Sequence, residues 1–189
     1  MQGMGQAGER ELWDRAAADD PTAFAALFDL HHDRIFRHAF SVLRDRSDAE
    51  DVTATVFLEL WRRRGRVRLV EDSVLPWLLV TATNVARNVT RATARYRRLL
   101  ASLPHPGTAP SAEDVAVQGA DDGPVLRAVG SLKPADQALI MMVDVEGFPI
   151  VAAAEALRIS QGTARVRLHR ARNKLRADLV DADQEVAHA

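Results

Sequence analysis

The stretch RISQGTARVRLHRARNKLR, Arg158 to Arg176, follows the apolar run Pro149 to Leu157. Together they read as an alanine-rich helix, a three-residue turn and a second helix loaded with arginine. That is a helix-turn-helix, the motif that lays its second helix in a DNA major groove. Ser160 suits the N-cap of the second helix, its hydroxyl free to accept an otherwise unpaired backbone N–H. Ala164, Leu168, Ala171 and Leu175 recur at helical spacing and form one narrow apolar stripe. The other faces carry Arg165, Arg167, His169, Arg170, Arg172, Lys174 and Arg176, and no carboxylate occurs anywhere in the stretch. A solvated surface helix mixes its charge signs; this one faces a polyanion or, in the plainer reading, is a basic amphipathic helix packed on a globular body near membrane or RNA.

On a helical wheel built around the apolar stripe, Val166, His169, Arg170 and Asn173 point most directly away from it, flanked by Thr163 and Arg165. These are the candidate base-facing positions, because guanidinium forks match phosphate oxygens and the O6/N7 edge of guanine. Arg167, Arg172 and Lys174 are placed to hold backbone phosphates.

The chain has 189 residues, 47% of them hydrophobic, enough for one large or two small cores. Its formal net charge of −1 is uninformative as a total; the distribution is not. No acid lies between Ser73 and Ala112, a span holding Arg87, Arg91, Arg95, Arg97 and Arg98, while acids gather at Asp19–Asp20, Asp45–Asp51, Glu113–Asp122 and the C-terminal tail. With no cysteine, disulfides and thiolate metal sites are excluded. Nothing at the N-terminus reads as a secretory leader and no apolar run is long enough to span a bilayer, so the expectation is a soluble, cytoplasmic protein without membrane insertion.

From Leu99 the segment ASLPHPGTAPSAEDVAVQGADDGP mixes Pro, Gly, Ser and acids without helical periodicity, the composition of a flexible linker. Helical patterns flank it, and no strand-like alternation or internal repeat appears. The expected fold is all-α: two small helical domains, residues 9–99 and 125–179, joined by a flexible acidic linker over 100–124, with the helix-turn-helix in the second. Both chain ends, Met1 to Gly8 and Asp181 to Ala189, read as frayed tails.

In the first domain, Pro21 and Thr22 open a helix with Phe24, Leu27, Phe28, Leu30, Ile35, Phe36 and Phe40 at helical spacing. After a polar break at Asp45 to Asp48, Ser47 and Glu50 suit a capping box. The next helix gathers Ala49, Val52, Thr53, Val56, Phe57 and Leu60 on one side and Asp51, Thr55, Leu58, Glu59 and Arg62 on the other. A leucine projecting from a polar face needs no explanation but also suits a protein contact. A third helix begins near Pro76, with Trp77, Leu78, Val80, Val85 and Val89 inward and Asn84, Arg87, Asn88, Arg91 and Arg95 over the rest. An aromatic ring, amides and arginines without a nearby acid are equipped to handle unstacked bases; equally, Trp77 is a core residue and the arginines are solvated.

Three blocks in this order resemble a known family. AFAALFDLHHDRIFRHAFSVLRDRSDAEDVTATVFLELWRR, LPWLLVTATNVARNVTRATARYRR and SLKPADQALIMMVDVEGFPIVAAAEALRISQGTARVRLHRARNKLR are similar to the segments of a bacterial RNA polymerase sigma factor of the extracytoplasmic-function class. The resemblance implies a non-enzymatic transcription initiation factor, with no cofactor, that binds core RNA polymerase and promoter DNA. It implies a polymerase-binding face at Asp48, Asp51, Thr55, Leu58, Glu59 and Arg62. It implies downstream-element melting by Trp77, Asn84, Arg87, Asn88 and Arg91, and upstream-element reading by the helix-turn-helix. An anti-sigma factor is the expected inhibitor.

The chain departs from the family pattern in three places: Ala54 and Thr55 replace a common Gln-Glu pair, Val151-Ala152-Ala153 replaces a Glu-Ile-Ala core, and Arg158 occupies a turn position where many relatives have glycine. Three other functions compete. A stand-alone helix-turn-helix regulator would bind its site without polymerase. A metal protein or enzyme would use His31, His32, Asp33 and His38, but adjacent helical residues point about 100° apart and the spacing fits no familiar metal grip. These histidines are expected near the surface. An RNA-binding bundle would use the Arg87–Arg98 run.

Overall fold

A computed structural model describes residues 3–102 and 124–187. Most of the linker segment and both extreme termini lie outside the described residues. Eight α-helices follow one another among them: α1 (Gly3–Ala17), α2 (Pro21–Leu43), α3 (Arg46–Arg63), α4 (Leu75–Ser102), α5 (Pro124–Gly130), α6 (Pro134–Ile140), α7 (Ile150–Leu157) and α8 (Gln161–Ala187). The fold is all-α. The one extended pairing among the described residues is an isolated bridge between Val70 and Ser73.

Local chemistry sets the helix ends. Asp20 caps α2: its Oδ1 accepts from the Thr22 and Ala23 amides at 2.9 and 3.2 Å, ahead of Pro21 in the first turn. The Thr22 hydroxyl and Arg15 donate to the same carboxylate and hold it well below the usual acid range. α2 stops at Arg44, which takes the left-handed conformation (φ 56°) and returns its N–H to the Phe40 carbonyl.

Three expectations are corrected here. The cap of α3 is Asp45, not Ser47: Asp45 Oδ1 accepts the Asp48 amide at 2.8 Å, and Glu50 turns instead to Arg46 at 2.9 Å. The chain ends are not simple tails, since α1 begins at Gly3 and α8 continues to Ala187. His31 and His38 are fully buried rather than near the surface.

Two polar contacts explain that burial. Glu9 of α1 sends one carboxylate oxygen to three donors: His31 Nε2 at 3.0 Å, Ser73 Oγ at 2.9 Å and the Val74 amide at 2.7 Å. His38 Nε2 meets Thr83 Oγ1 at 2.7 Å, tying α2 to α4. The turn ahead of α4 places Glu71 and Asp72 at positive φ, 52° and 57°. Ser73 closes it with reciprocal backbone bonds to Val70. α1 thus pins the turn from which α4 is launched.

α2, α3 and α4 pack around Leu27, Ile35, Val52, Val56, Leu60, Leu75, Leu78, Leu79 and Ala82. On α4 the buried positions are Leu75, Pro76, Leu78, Leu79, Ala82, Thr83 and Ala86, whereas Trp77, Val80, Val85 and Val89 are half-buried. The inward face is therefore turned relative to the one expected from Trp77 and the valines.

In the second unit α6 widens after Ile140 into a π turn, with the Glu146 amide reaching back to the Met141 carbonyl. Phe148 then closes the corner before α7. Leu139, Met142 and Ala153 make the core of this unit together with Ala164, Leu168 and Ala171 of α8. The two units touch: α5 meets α2, and α6 and α7 meet α4, so the apolar cluster runs continuously through both.

Candidate nucleic-acid interface

α7, its turn and α8 form the helix-turn-helix. The turn residue Arg158 is left-handed (φ 55°, ψ 43°), a conformation that costs a side chain about 1 kcal/mol or more. Ser160 Oγ accepts the Thr163 amide at 3.1 Å, capping α8. Ala164, Leu168 and Ala171 are buried and Leu175 half-buried. On the opposite side Thr163, Arg165, Val166, His169, Arg170 and Asn173 are all exposed, and Val166 keeps 51% of its surface in water.

The cations of α8 divide into two sets. Arg167 Nε donates to Asp136 at 2.7 Å, Arg172 grips both oxygens of Asp144, and Lys174 meets Asp178 at 2.9 Å. Arg165 and Arg170 have no ion pair among the described residues. The acids come from α6, its π turn and the later part of α8, so nothing inside Arg158 to Arg176 announces them. Asn173 Nδ2 donates to His169 Nε2 at 3.0 Å while its own oxygen accepts from Arg176 at 3.3 Å. An amide nitrogen only donates, so Nε2 accepts here and the proton of the neutral ring sits on Nδ1.

The second face belongs to α4. Trp77 is half-buried, and Asn84, Arg87, Asn88 and Arg91 are exposed. Asn84, Arg87 and Arg91 line a cleft of about 560 Å³ whose far wall holds Lys133, Pro134, Ala135, Leu157 and Arg167. Trp77 and Asn88 instead border a neighbouring recess with Thr55, Glu59, Arg63 and Arg158. Arg66, Arg68 and Arg158 gather beside Trp77 as well. Arg66 and Arg68 are functional candidates beyond those expected from sequence, where they stand only as cations ahead of the third helix.

The third face is the solvent side of α3. Asp51, Thr55, Leu58 and Arg62 are exposed at helical spacing, with Leu58 at 46%. Asp48 is half-buried in the first turn, and Glu59 holds Arg63 at 2.7 Å and lies 3.7 Å from Arg62. The opposite side is the buried set Ala49, Val52, Thr53, Val56, Phe57 and Leu60, which fixes the orientation of the strip.

Burial sets the ionisation of the supporting groups. Burial alone would raise the Glu9 carboxyl, but hydrogen bonds from His31, Val74 and Ser73, with the charge of His31, outweigh it and hold Glu9 below its ordinary value. Burial pushes His38 down to about 4, so it is neutral at pH 7. Among the described residues no group of three or more acidic or histidine side chains could hold a metal ion. None of their helices is long and apolar enough to cross a membrane.

Comparison with known proteins places this geometry. Residues 27–96 match the Sigma-70 region 2 family and residues 123–175 match Sigma-70 region 4. The chain is 32% identical over 174 residues to the RNA polymerase sigma factor CarQ of Myxococcus xanthus, covering 87% of this chain and 94% of that protein. It is 28% identical over 164 residues to the ECF RNA polymerase sigma factor SigE of Mycolicibacterium smegmatis, covering 84% of this chain but 62% of that longer protein. Its fold is similar to that of CnrH, solved in complex with the cytosolic domain of CnrY: TM-score 0.64, 23% identity, covering 93% of this chain and 98% of CnrH. The helix-turn-helix, the arginine-lined helix ahead of it and these matches agree: the chain belongs to the extracytoplasmic-function class of bacterial RNA polymerase sigma factors.

Proposed function

We propose that this chain directs core RNA polymerase to promoters through three separate faces. The observation that carries the reading is the division of labour on α8. Arg167, Arg172 and Lys174 are engaged by Asp136, Asp144 and Asp178, while Arg165, Val166, His169, Arg170 and Asn173 stand clear of the protein. That clear strip reads the upstream element. Arg170 and Arg165 supply guanine-directed forks, Val166 an apolar contact for a thymine methyl, and Asn173 and His169 hydrogen bonds, each good bidentate pair giving about 1–3 kcal/mol of discrimination. Thr163 at the helix start contacts the backbone. Arg167, Arg172 and Lys174 reach phosphates only by sharing or leaving their acids.

On α4, Trp77, Asn84, Arg87, Asn88 and Arg91 receive an unstacked base and its phosphates from the downstream element. On α3, the strip Asp48, Asp51, Thr55, Leu58, Glu59 and Arg62 docks on the polymerase, with Leu58 as its apolar contact. Residues 9–99 then form the polymerase-binding and melting domain and 125–179 the upstream-element domain, with 100–124 as the tether. The chain adds sequence choice to a polymerase that does the chemistry, so it needs no catalytic group or cofactor, and it works in the cytoplasm. An anti-sigma protein is its proposed inhibitor, in keeping with the similar structure of the sigma factor RpoE in complex with the anti-sigma factor NepR from Bartonella quintana.

Two modest sites on one tether become a stringent reader only when polymerase fixes their separation. Selection of fragments from the chain's own genome, with core polymerase and without it, tests this. With core polymerase, the enriched fragments are expected to share two spaced elements; the chain alone is expected to enrich none. Enrichment of palindromes by the chain alone would overturn the reading in favour of a stand-alone regulator.

A further inference from the structure

We propose that Glu9 is a positioning residue for the downstream-element face: from α1 it caps α4 and closes the turn before it, and so sets Trp77 against Arg66 and Arg68. The inference rests on the role given to α4 above and extends it to a residue ahead of the 27–96 match.

The first amides of a helix have no partner within it, and Pro76 removes one of them from the start of α4. The Leu75 amide donates to Ser73 Oγ at 3.1 Å, and the Val74 amide donates to Glu9 Oε1 at 2.7 Å. Ser73 Oγ in turn donates to the same Glu9 oxygen at 2.9 Å. Both acceptors at the start of α4 therefore depend on one carboxylate from another helix. Negative charge at this end also suits the helix dipole. His31 of α2 holds the same oxygen at 3.0 Å, and Glu9 is only 6% exposed.

The segment between α3 and α4 is tied to α1 and its end at two points. Arg64 pairs with Asp19, just beyond α1, and Arg10 of α1 donates to Asp72 at 2.7 Å. Between these ties Glu71 and Asp72 are consecutive left-handed residues. Side chains keep that conformation only where their surroundings enforce it, and such places gather at ligand sites. Arg66 and Arg68 are exposed on this segment and border one recess with Val70 and Trp77. Trp77 lies three residues, about 4.5 Å of helical rise, past the amide that Glu9 holds.

The body of α4 has separate supports, its buried leucines and the bond from His38 to Thr83. Glu9 governs the end that carries Trp77. Stacking on a base and holding its phosphates act together only when ring and cations are kept in register.

Glu9→Gln keeps the size of the side chain and one oxygen but removes the charge that three donors share. Holoenzyme is assembled from core polymerase with the unmodified chain, Glu9→Gln, Trp77→Ala or the double variant. Both single strands across the downstream element of a selected promoter fragment are labelled, and the tighter-bound strand is the probe. Trp77→Ala is expected to weaken probe binding about tenfold, the scale of one lost stack. Glu9→Gln is expected to cost roughly fivefold alone and less than about twofold when added to Trp77→Ala, because it acts through the ring. Affinities for core polymerase and for the upstream duplex are expected to stay within about twofold. Additive losses in the double variant, a matching loss on the upstream duplex, or no loss with Glu9→Gln would each overturn the proposal. Should Glu9→Gln lose its helical circular dichroism, Ser73→Ala takes its place in the same cycle with the same expectations. An unmodified holoenzyme that prefers neither strand over a scrambled one would overturn the role given to α4 and this proposal with it. A loss with Trp77→Ala but none with Glu9→Gln overturns this proposal alone.

Discussion

The two faces proposed to meet nucleic acid are built from similar residues and presented in opposite ways. α8 turns its contact strip to open solvent on a helix capped by Ser160 and backed by small residues, Ala164 and Ala171. α4 carries Asn84, Arg87 and Arg91 into a cleft roofed by the other unit, on a helix fixed by the Glu9 and His38 contacts. A helix that reads intact duplex needs only to be exposed and correctly aimed. The role proposed for α4, receiving an unstacked base, calls on its residues only once DNA has been opened. The contrast also appears in charge: acids hold the outer cations of α8, whereas no acid lines the cleft over α4.

The comparison is broken most severely on the α4 side. Glu9→Ala removes the acceptor shared by His31, Ser73 and the Val74 amide, leaving buried donors unpaired. A loss of about 3–5 kcal/mol in urea unfolding is expected, with α8's duplex contacts unchanged in kind. A loss under 1 kcal/mol would show that α1 does not anchor α4.

Acid sharpens the same contrast. Because burial lowers the folded-state pKa of His38 to about 4, the unfolded chain takes up its proton first as pH falls below about 6.5. Stability therefore drops between pH 6.5 and 4, by about 3 kcal/mol from this group. Glu9, also depressed, adds loss in the same direction at lower pH. Unfolding followed at α4 should show this decline, and His38→Gln should flatten it.

On the α8 side, Arg170→Ala is expected to weaken holoenzyme binding to the upstream element by about 1–3 kcal/mol, with little change in thermal midpoint. Arg172→Ala should differ in kind, costing less sequence discrimination because Asp144 already engages that guanidinium. Equal losses in discrimination would erase the division drawn on α8. The smallest effect is at the turn. Arg158→Gly relieves a left-handed side chain and should raise stability by up to about 1 kcal/mol, read as a small rise in Tm.

Much of this was legible from the amino acids. The six buried residues of α3 all fall on one helical stripe, so its solvent side followed directly. The stripe and cap of α8 were equally plain, because residues one turn apart define them. The misses share a physical cause. His31 and His38 become core residues only through Glu9 and Thr83, 22 and 45 positions away, and no local pattern announces such partners. The acids that occupy Arg167 and Arg172 lie 31 and 28 positions upstream, in segments that read as ordinary helix. At α3, Asp45 and Ser47 are both good cap residues by type, and Asp45 is the one whose carboxylate accepts the Asp48 amide. The cleft beside α4 lies still further from sequence, because it depends on how two separately patterned units meet.

The central claim is that the chain selects promoters for polymerase through α8's open strip. Run-off transcription with core polymerase, on the fragments that the holoenzyme selects, tests it most directly. Transcripts are expected that require the chain, are lost with Arg170→Ala, and return when the upstream element is altered at the contacted base pair. Transcripts that persist unchanged with Arg170→Ala, or none at all with the unaltered chain, would contradict it.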